Sequence, residues 1–192
     1  MDEKGLVRRC SAGDRDAKQE MYETYSGRVL AVCRRYIRDR DRALDIVHDT
    51  FLKAWASLDR FHPWRSGSLG AWLSRIAVHL AVDELRRERH FVDELPPPSA
   101  GMAGEPLPAE PPVDAGRLQQ VPVEELIDLI ASLPEGYRTV FNLFCLDGCS
   151  HREIAQMLGI TEKTSQTQYL KARHKLAAML AAKYGNHEKE QP

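Results

Sequence analysis

An all-α fold of two small helical domains joined by a flexible linker is predicted by three features of the sequence. Apolar residues recur at helical spacing in both halves of the chain, and no sustained alternation indicates a sheet. Prolines concentrate between the halves, and 192 residues suit two small domains. The predicted parts are an N-terminal helical bundle over 1–92, a linker over 93–122 and a C-terminal helix-turn-helix bundle over 123–192.

The composition predicts a cytoplasmic protein without membrane insertion. Hydrophobic residues make up 43% of the chain, as in ordinary globular proteins, no apolar run approaches the ~20 residues of a membrane span, and no secretory leader is recognisable. The scattered cysteines form no disulfide framework. Cys145, Cys149 and His151 raise the question of zinc, but a second ligand pair is missing. We therefore expect no metal and no cofactor.

The charge is distributed unevenly along a chain whose formal net charge is −1. Between Asp93 and Asp128 the acidic residues outnumber the single base, Arg117, whereas bases predominate from Ser150 to Tyr184. The acidic stretch also holds most of the prolines, which block helix formation and leave little to bury. These prolines are Pro96, Pro97, Pro98, Pro106, Pro108, Pro111, Pro112 and Pro122. This composition predicts an extended, mobile linker.

Three apolar stripes predict three helices in the N-terminal half. They are Tyr22, Tyr25, Val29, Cys33 and Tyr36; Leu44, Val47, Phe51, Trp55 and Leu58; and Leu69, Leu73, Ile76 and Leu80. Beside the second stripe, Asp41, Asp45 and Asp49 recur every four residues and place carboxylates along one exposed flank. A metal site with His48 is the alternative, but one helix cannot surround a metal. The flank is better interpreted as a docking edge for a basic partner.

The third helix carries bases close to aromatic residues. Arg75, His79, Val82 and Arg86 share one predicted face, followed by Arg87, while Trp64 and Arg65 lie in the preceding loop and Trp72 belongs to the core. Bases and aromatic rings together suit single-stranded nucleic acid, whose bases stack and whose phosphates need neutralising. From the residues alone, arginines that merely solvate a helix end explain the pattern equally well.

A helix-turn-helix is predicted in the C-terminal half, after a helix with Leu126, Leu129, Ile130 and Leu133 and one opened by Pro134. Ser150 and Glu153 form a capping box, Gly159 lies in a tight turn, and Thr161 caps the last helix. The expected core consists of Ile154, Ala155, Leu158, Ile160, Ala172 and Leu176.

The second helix of this motif is expected to enter the major groove of duplex DNA. Lys163, Gln166, Thr167 and Lys171 are placed on its outer face and Gln168 on its flank, where glutamine and lysine can contact base edges. Arg152, His174 and Lys175 are better placed for phosphates. A small helical bundle with a solvated basic face is the alternative.

Five segments in this order resemble the extracytoplasmic-function sigma factors, group IV of the sigma-70 family. The segments are 36–39, 43–55, 71–77, 133–138 and 150–155, and the resemblance covers nearly the whole chain. It implies a non-catalytic transcription initiation factor whose partners are core RNA polymerase and promoter DNA, with an anti-sigma factor as a further partner. The acidic linker would thread through the polymerase channel.

The resemblance also assigns roles to residues. Core polymerase would be bound by Asp45, His48, Asp49, Phe51, Leu52 and Trp55. The melted strand of the minus-ten element would be held by Trp64, Arg65, Arg75, His79, Arg86 and Arg87. The minus-thirty-five element would be bound as duplex by the C-terminal residues named above. His79, Gln166 and Gln168 depart from the residues common in the family. A helix-turn-helix regulator that is not a polymerase subunit is the second hypothesis.

Overall fold

The computed structural model describes residues 2–62, 68–87 and 121–184. Of these residues, 85% are helical and none lies in a strand, which confirms the all-α prediction. The chain divides into two compact units, within 1–87 and within 88–192. Trp64, Arg65 and all of the predicted linker except Val121 and Pro122 lie outside the described residues. The predicted domain boundaries therefore stay a prediction.

The first unit is a bundle in which three long helices pack against one another and a short one packs on the second. The helices are α1 (Glu3–Ser11), α2 (Arg15–Tyr36), α3 (Arg40–Trp55) and α4 (Ser68–Arg87), with a 3₁₀ turn at Leu58–Arg60. Aspartates cap the first three, since Asp2, Asp14 and Asp39 each accept from a backbone N–H of the first turn. Each predicted apolar stripe contributes to the core, through Val29, Cys33 and Tyr36, through Val47, Phe51 and Leu58, and through Leu69 and Leu73, while the other residues of the stripes are half-buried.

The predicted position of Val82 on α4 is wrong. Val82 was placed on the outer face of α4 with the bases, but its side chain is buried in the core. The reason is that Leu85 and Val78, its neighbours at helical spacing, are buried as well, so the core side of α4 extends to Val82. The unit also contains α1, which the three apolar stripes did not predict.

The second unit contains four further α-helices within 121–184. They are α5 (Val123–Ser132), α6 (Glu135–Phe141), α7 (His151–Leu158) and α8 (Glu162–Tyr184), with a π-helical segment at Asn142–Leu146. Leu133, Ala172 and Leu176 form the centre of one cluster, on which partly buried side chains of α5, α6 and α8 pack. Val140, Leu143 and Ile154 are also buried.

The helix-turn-helix is formed by α7, a turn and α8. The predicted capping box is present at Ser150 and Glu153, and Gly159 ends α7 at φ 68°, a conformation that glycine adopts without strain. Thr161 accepts from the backbone N–H of Thr164 at 3.0 Å and caps α8 as predicted. Ala155 and Ile160, expected in the core, are only half-buried.

Arg138 joins α6 to the end of α5. Its side chain is 4% exposed, and Nη1 donates to the carbonyls of Ala131 and Leu133 at 3.3 and 3.1 Å. Carbonyls at a helix C-terminus lack partners inside the helix and carry partial negative charge. A buried guanidinium is therefore well matched to this position. Within the described ranges, no helix is both long and apolar enough to span a membrane.

Candidate nucleic-acid and polymerase-binding surfaces

The outer face of α3 combines carboxylates with an exposed apolar side chain. Asp45, His48, Asp49 and Leu52 are all exposed, and Leu52 is exposed to 60%. At ~100° per residue these four positions fall within an arc of about 100°. An apolar side chain among carboxylates is typical of a surface that binds a basic protein partner. We call these four residues the α3 docking face.

Phe51, which the resemblance assigned to polymerase binding, does not belong to the α3 docking face and is buried, as its place in the second apolar stripe predicted. Its side chain is 1% exposed because position 51 turns toward the core. There its ring lies 4.8 Å from that of Tyr22 on α2 and 5.8 Å from that of Trp55. Phe51 is therefore part of the core on which the α3 docking face lies.

Tyr22 is a residue of this region that the sequence did not single out for binding. Its ring stacks on that of His48 with a centroid distance of 5.9 Å, and its Oη lies 3.3 Å from His48 Nε2. These contacts fix the direction of the His48 ring on an otherwise exposed surface. Trp55 is half-buried at the end of α3, where the Lys18 ammonium lies 5.7 Å from its ring centroid.

The outer face of α4 presents bases of which two are already paired with acids. Arg75, His79, Arg86 and Arg87 are exposed. Arg86 lies 3.7 Å from Asp83, and Arg87 lies 3.4 Å from Glu84, which also pairs with Arg42 of α3 at 2.8 Å. Trp72 is half-buried against Phe61, with ring centroids 5.2 Å apart. Arg86 and Arg87 lie in the last turn of α4, whereas Arg75 and His79 lie near its middle. Arg75 and His79 are therefore the central bases of this face.

The outer face of α8 lies opposite its buried side. Lys163 is exposed, and Gln166, Thr167 and Lys171 are partly exposed; Arg152 on α7 and Lys175 on α8 are exposed at its margins. The Thr167 hydroxyl donates to the Lys163 carbonyl at 2.9 Å, so its oxygen stays available as an acceptor. This arrangement suits a helix that lies in a DNA groove.

The expectation that Gln168 lies on the exposed flank of α8 is wrong. Its side chain is 2% exposed, and its Oε1 has no hydrogen-bond partner among the described residues. The physical reason is helical geometry, because two residues from Gln166 correspond to about 200° around the helix. His174 is half-buried, and its Nε2 is enclosed, so that this nitrogen does not face a phosphate.

Leu170 is a residue of the outer face that the sequence interpretation missed. It is partly exposed and follows Thr167 by three positions and Gln166 by four, which places it between the polar residues. An apolar side chain in the major groove can contact the methyl group of thymine. The helical spacing alone would have identified it.

His151 connects the first turn of α7 to the first turn of α8. Its Nδ1 lies 2.9 Å from Ser165 Oγ, and its ring stacks on Phe144 with a centroid distance of 4.4 Å. Burial lowers the pKa of His151, and the nearby carboxylate of Glu162 opposes this to a smaller extent. The neutral imidazole is therefore the form that the contact between the two helices favours.

This contact predicts that the second unit loses stability in mild acid. An unfolded histidine protonates near pH 6.5, whereas folded His151 resists protonation, so the unfolded state binds more protons below that pH. The contribution of neutral His151 to the free energy of unfolding is complete above about pH 6.5, and it is lost as the pH falls through the lowered pKa of His151. Denaturant unfolding of the chain and of His151→Gln between pH 7.5 and pH 5 measures it. Parallel stability curves for both proteins would contradict the assignment.

A zinc site around Cys145, Cys149 and His151 gains no support from the described residues, in which no group of three or more His, Cys, Asp or Glu side chains could hold a metal ion. Cys145 is exposed, with its Sγ 3.9 Å from Tyr169 Oη, and Cys149 is half-buried. Although the residue is exposed, neighbouring atoms partly shield its sulfur from water, and this desolvation raises the pKa of Cys145 and keeps it a thiol near neutral pH.

Two family models match the two units. Sigma-70 region 2 matches residues 21–91, and Sigma-70 region 4 matches residues 123–176. The first match contains the α3 docking face and the bases of α4. The second begins with α5 and ends within α8 at Leu176.

Curated relatives agree with these matches. The chain is 30% identical over 179 residues to the ECF RNA polymerase sigma-E factor of Escherichia coli (strain K12), covering 88% of each. It is 27% identical to ECF RNA polymerase sigma factor SigW of Bacillus subtilis (strain 168), covering 92% of this chain and 96% of SigW.

Two similar solved structures are complexes. One is CnrH with the cytosolic domain of CnrY, at 26% identity and a TM-score of 0.46, covering 92% of this chain and 96% of that one. The other is the sigma factor RpoE with the anti-sigma factor NepR from Bartonella quintana, at 25% identity and a TM-score of 0.47, covering 86% and 97%. On its relatives and on the two regions that match in order, the chain belongs to the ECF RNA polymerase sigma factors.

Proposed function

We propose that this chain is a promoter-specificity subunit that binds core RNA polymerase and directs transcription initiation, without catalysis of its own and in the cytoplasm. The α3 docking face binds core polymerase. The outer face of α4 holds the melted strand of the minus-ten element, and the outer face of α8 binds the minus-thirty-five element as duplex. An anti-sigma factor is proposed as a further partner on the family membership alone.

The observation that carries this proposal is the occurrence of sigma-70 regions 2 and 4, in that order, in one chain. The surfaces described above fit the assignment of a protein partner to α3 and of nucleic acid to α4 and α8. The carboxylates and Leu52 on α3 suit a protein partner, whereas the bases on α4 and α8 suit nucleic acid. One chain thus offers both kinds of surface.

A helix-turn-helix regulator that does not act as a polymerase subunit is the second candidate. That class explains α7 and α8 equally well. It does not explain why residues 21–91 match sigma-70 region 2 or why α3 exposes an acidic and apolar face. The regulator is therefore not favoured.

Run-off transcription with purified core RNA polymerase tests the proposal. The template is a pool of linear DNA with random sequence upstream of a constant transcribed segment, so that no promoter needs to be known. We expect transcripts from a sequence-selected subset of templates only when the chain is present. Core polymerase that gives the same transcripts with and without the chain would exclude the sigma assignment.

The outer face of α8 predicts different effects for two substitutions. Gln166→Ala should change the preferred bases of the duplex element, because a glutamine side chain can make paired hydrogen bonds to adenine. Lys175→Ala should weaken binding to all sequences alike and reduce the salt dependence by about one unit of slope. Binding to a library of duplex variants at several salt concentrations measures both effects.

Gln168→Ala is the matched control for Gln166→Ala, since the same side chain type is removed from the buried side of α8. It should alter thermal stability and leave the base preference as it was. Equal losses on all sequences for Gln166→Ala and Lys175→Ala would mean that Gln166 contacts no base.

A further inference from the structure

Glu3, the first residue of α1, brings a buried carboxylate to the start of α4. Its side chain accepts a hydrogen bond from Tyr25 Oη of α2 at 3.1 Å through Oε1. Its Oε2 lies 3.5 Å from the backbone nitrogen of Leu69, the second residue of α4. The residue is 9% exposed. One carboxylate therefore connects three helices of the first unit.

The electrostatics of the α4 N-terminus favour a carboxylate at this place. The first backbone N–H groups of a helix have no partner within the helix, and they give its N-terminus partial positive charge. Burying a carboxylate is costly unless such donors satisfy it. Burial and the hydrogen bond to Glu3 raise the pKa of Tyr25 to about 12, so the phenol remains a donor at neutral pH.

The first turn of α4 is also held closely from the side of α2. A Cβ atom at Gly70 would lie 3.0 Å from Arg28 Nη1 and 3.2 Å from Tyr25 Cε1. The backbone of α4 thus approaches α2 at the position next to Leu69. With Glu3 at its end and Tyr25 at its side, this turn has little room to shift along or around its axis.

Arg75 lies six residues beyond Leu69, which is about 9 Å along the helix, and His79 lies one turn further. We propose that Glu3 is a positioning residue for the melted strand: by holding the first turn of α4, it sets the register in which Arg75 and His79 meet the DNA. This inference rests on the function proposed for α4. It gives a role to α1, which precedes the matched region 2 at residues 21–91.

The test measures strand binding by the full chain assembled with core RNA polymerase. The probes are labelled single-stranded oligonucleotides that wild-type holoenzyme has enriched from a random pool. Measurements are made at a temperature at which circular dichroism shows every variant folded. We expect Glu3→Ala to weaken strand binding about tenfold while its affinity for core polymerase stays at the wild-type value.

Val47→Ala is the matched control, because it removes buried methyl groups from α3, which is none of the three helices that Glu3 joins. It should lower the thermal midpoint and leave strand affinity unchanged when folded. A Glu3→Ala protein with wild-type strand affinity, or with equal losses of strand and core affinity, would overturn the positioning role.

If Glu3→Ala does not fold, Glu3→Gln replaces it, since the amide keeps one acceptor oxygen. A measurable loss of strand affinity with intact core binding would support the role, and wild-type strand affinity would overturn it. If wild-type holoenzyme enriches no single-stranded oligonucleotide from the pool, the function proposed for α4 is wrong, and the inference about Glu3 is wrong with it.

Discussion

Exchanging Asp45 and Asp49 for arginine will weaken binding of the chain to core RNA polymerase by about a hundredfold. Both carboxylates are exposed on the α3 docking face beside Leu52. Each replacement turns attraction to a basic partner surface into repulsion, and like charges brought together across an interface cost several kcal/mol. Fluorescence anisotropy of labelled protein titrated with core polymerase measures the affinity.

The double variant Asp16→Arg with Asp59→Arg provides the control, since it changes the net charge equally at two exposed acids of the same unit outside α3. It should bind core polymerase nearly as well as the wild type. Unchanged affinity of the Asp45 and Asp49 variant would show that α3 does not dock on the polymerase. Equal losses of affinity for both double variants would mean that the change in net charge, and not the position on α3, causes the effect.

Arg138→Met will destabilise the second unit by about 3 kcal/mol, because it leaves the buried carbonyl of Leu133 and the partly buried carbonyl of Ala131 without their charged donor. Methionine fills much of the same volume, so most of the loss reports the hydrogen bonds to Ala131 and Leu133 and the interaction with the end of α5. Urea denaturation of the full chain, followed by circular dichroism, gives the change in the free energy of unfolding.

Arg152→Met is the comparison for this substitution, because Arg152 is exposed at the start of α7. We expect it to change the free energy of unfolding by less than about 0.5 kcal/mol. A loss below about 1 kcal/mol for Arg138→Met would mean that water or neighbouring groups replace the guanidinium. Duplex binding should fall for Arg138→Met only at denaturant concentrations at which the second unit unfolds.

The features that the sequence predicted well depend on neighbours along the chain. The capping box at Ser150, the turn at Gly159 and the cap at Thr161 are local patterns, in which the residue types determine the backbone conformation. The all-α fold follows equally from the helical spacing of apolar residues. Such features need no knowledge of which helices pack together.

The features that the sequence missed depend on which side of a helix meets the core. Gln166 and Gln168 were both placed toward DNA, although a helix turns them to opposite sides, and packing buries Gln168. Val82 was placed on the face that carries the bases of α4, and packing against the other helices buries it as well. The helix α1 buries just Leu6, Cys10 and the polar Glu3, too little for a recognisable apolar stripe.

The packing of α3 on α4 has a consequence for how such proteins diversify. Both helices contribute their inner sides to one core, whereas Asp45 and Leu52 on α3 and Arg75 and His79 on α4 point outward. Substitutions at the outward positions of α4 leave both the core and the α3 docking face intact. Under the roles proposed for the two helices, a lineage can therefore acquire new promoter preferences by exchanging a few exposed side chains of α4 while it keeps the same polymerase-binding surface.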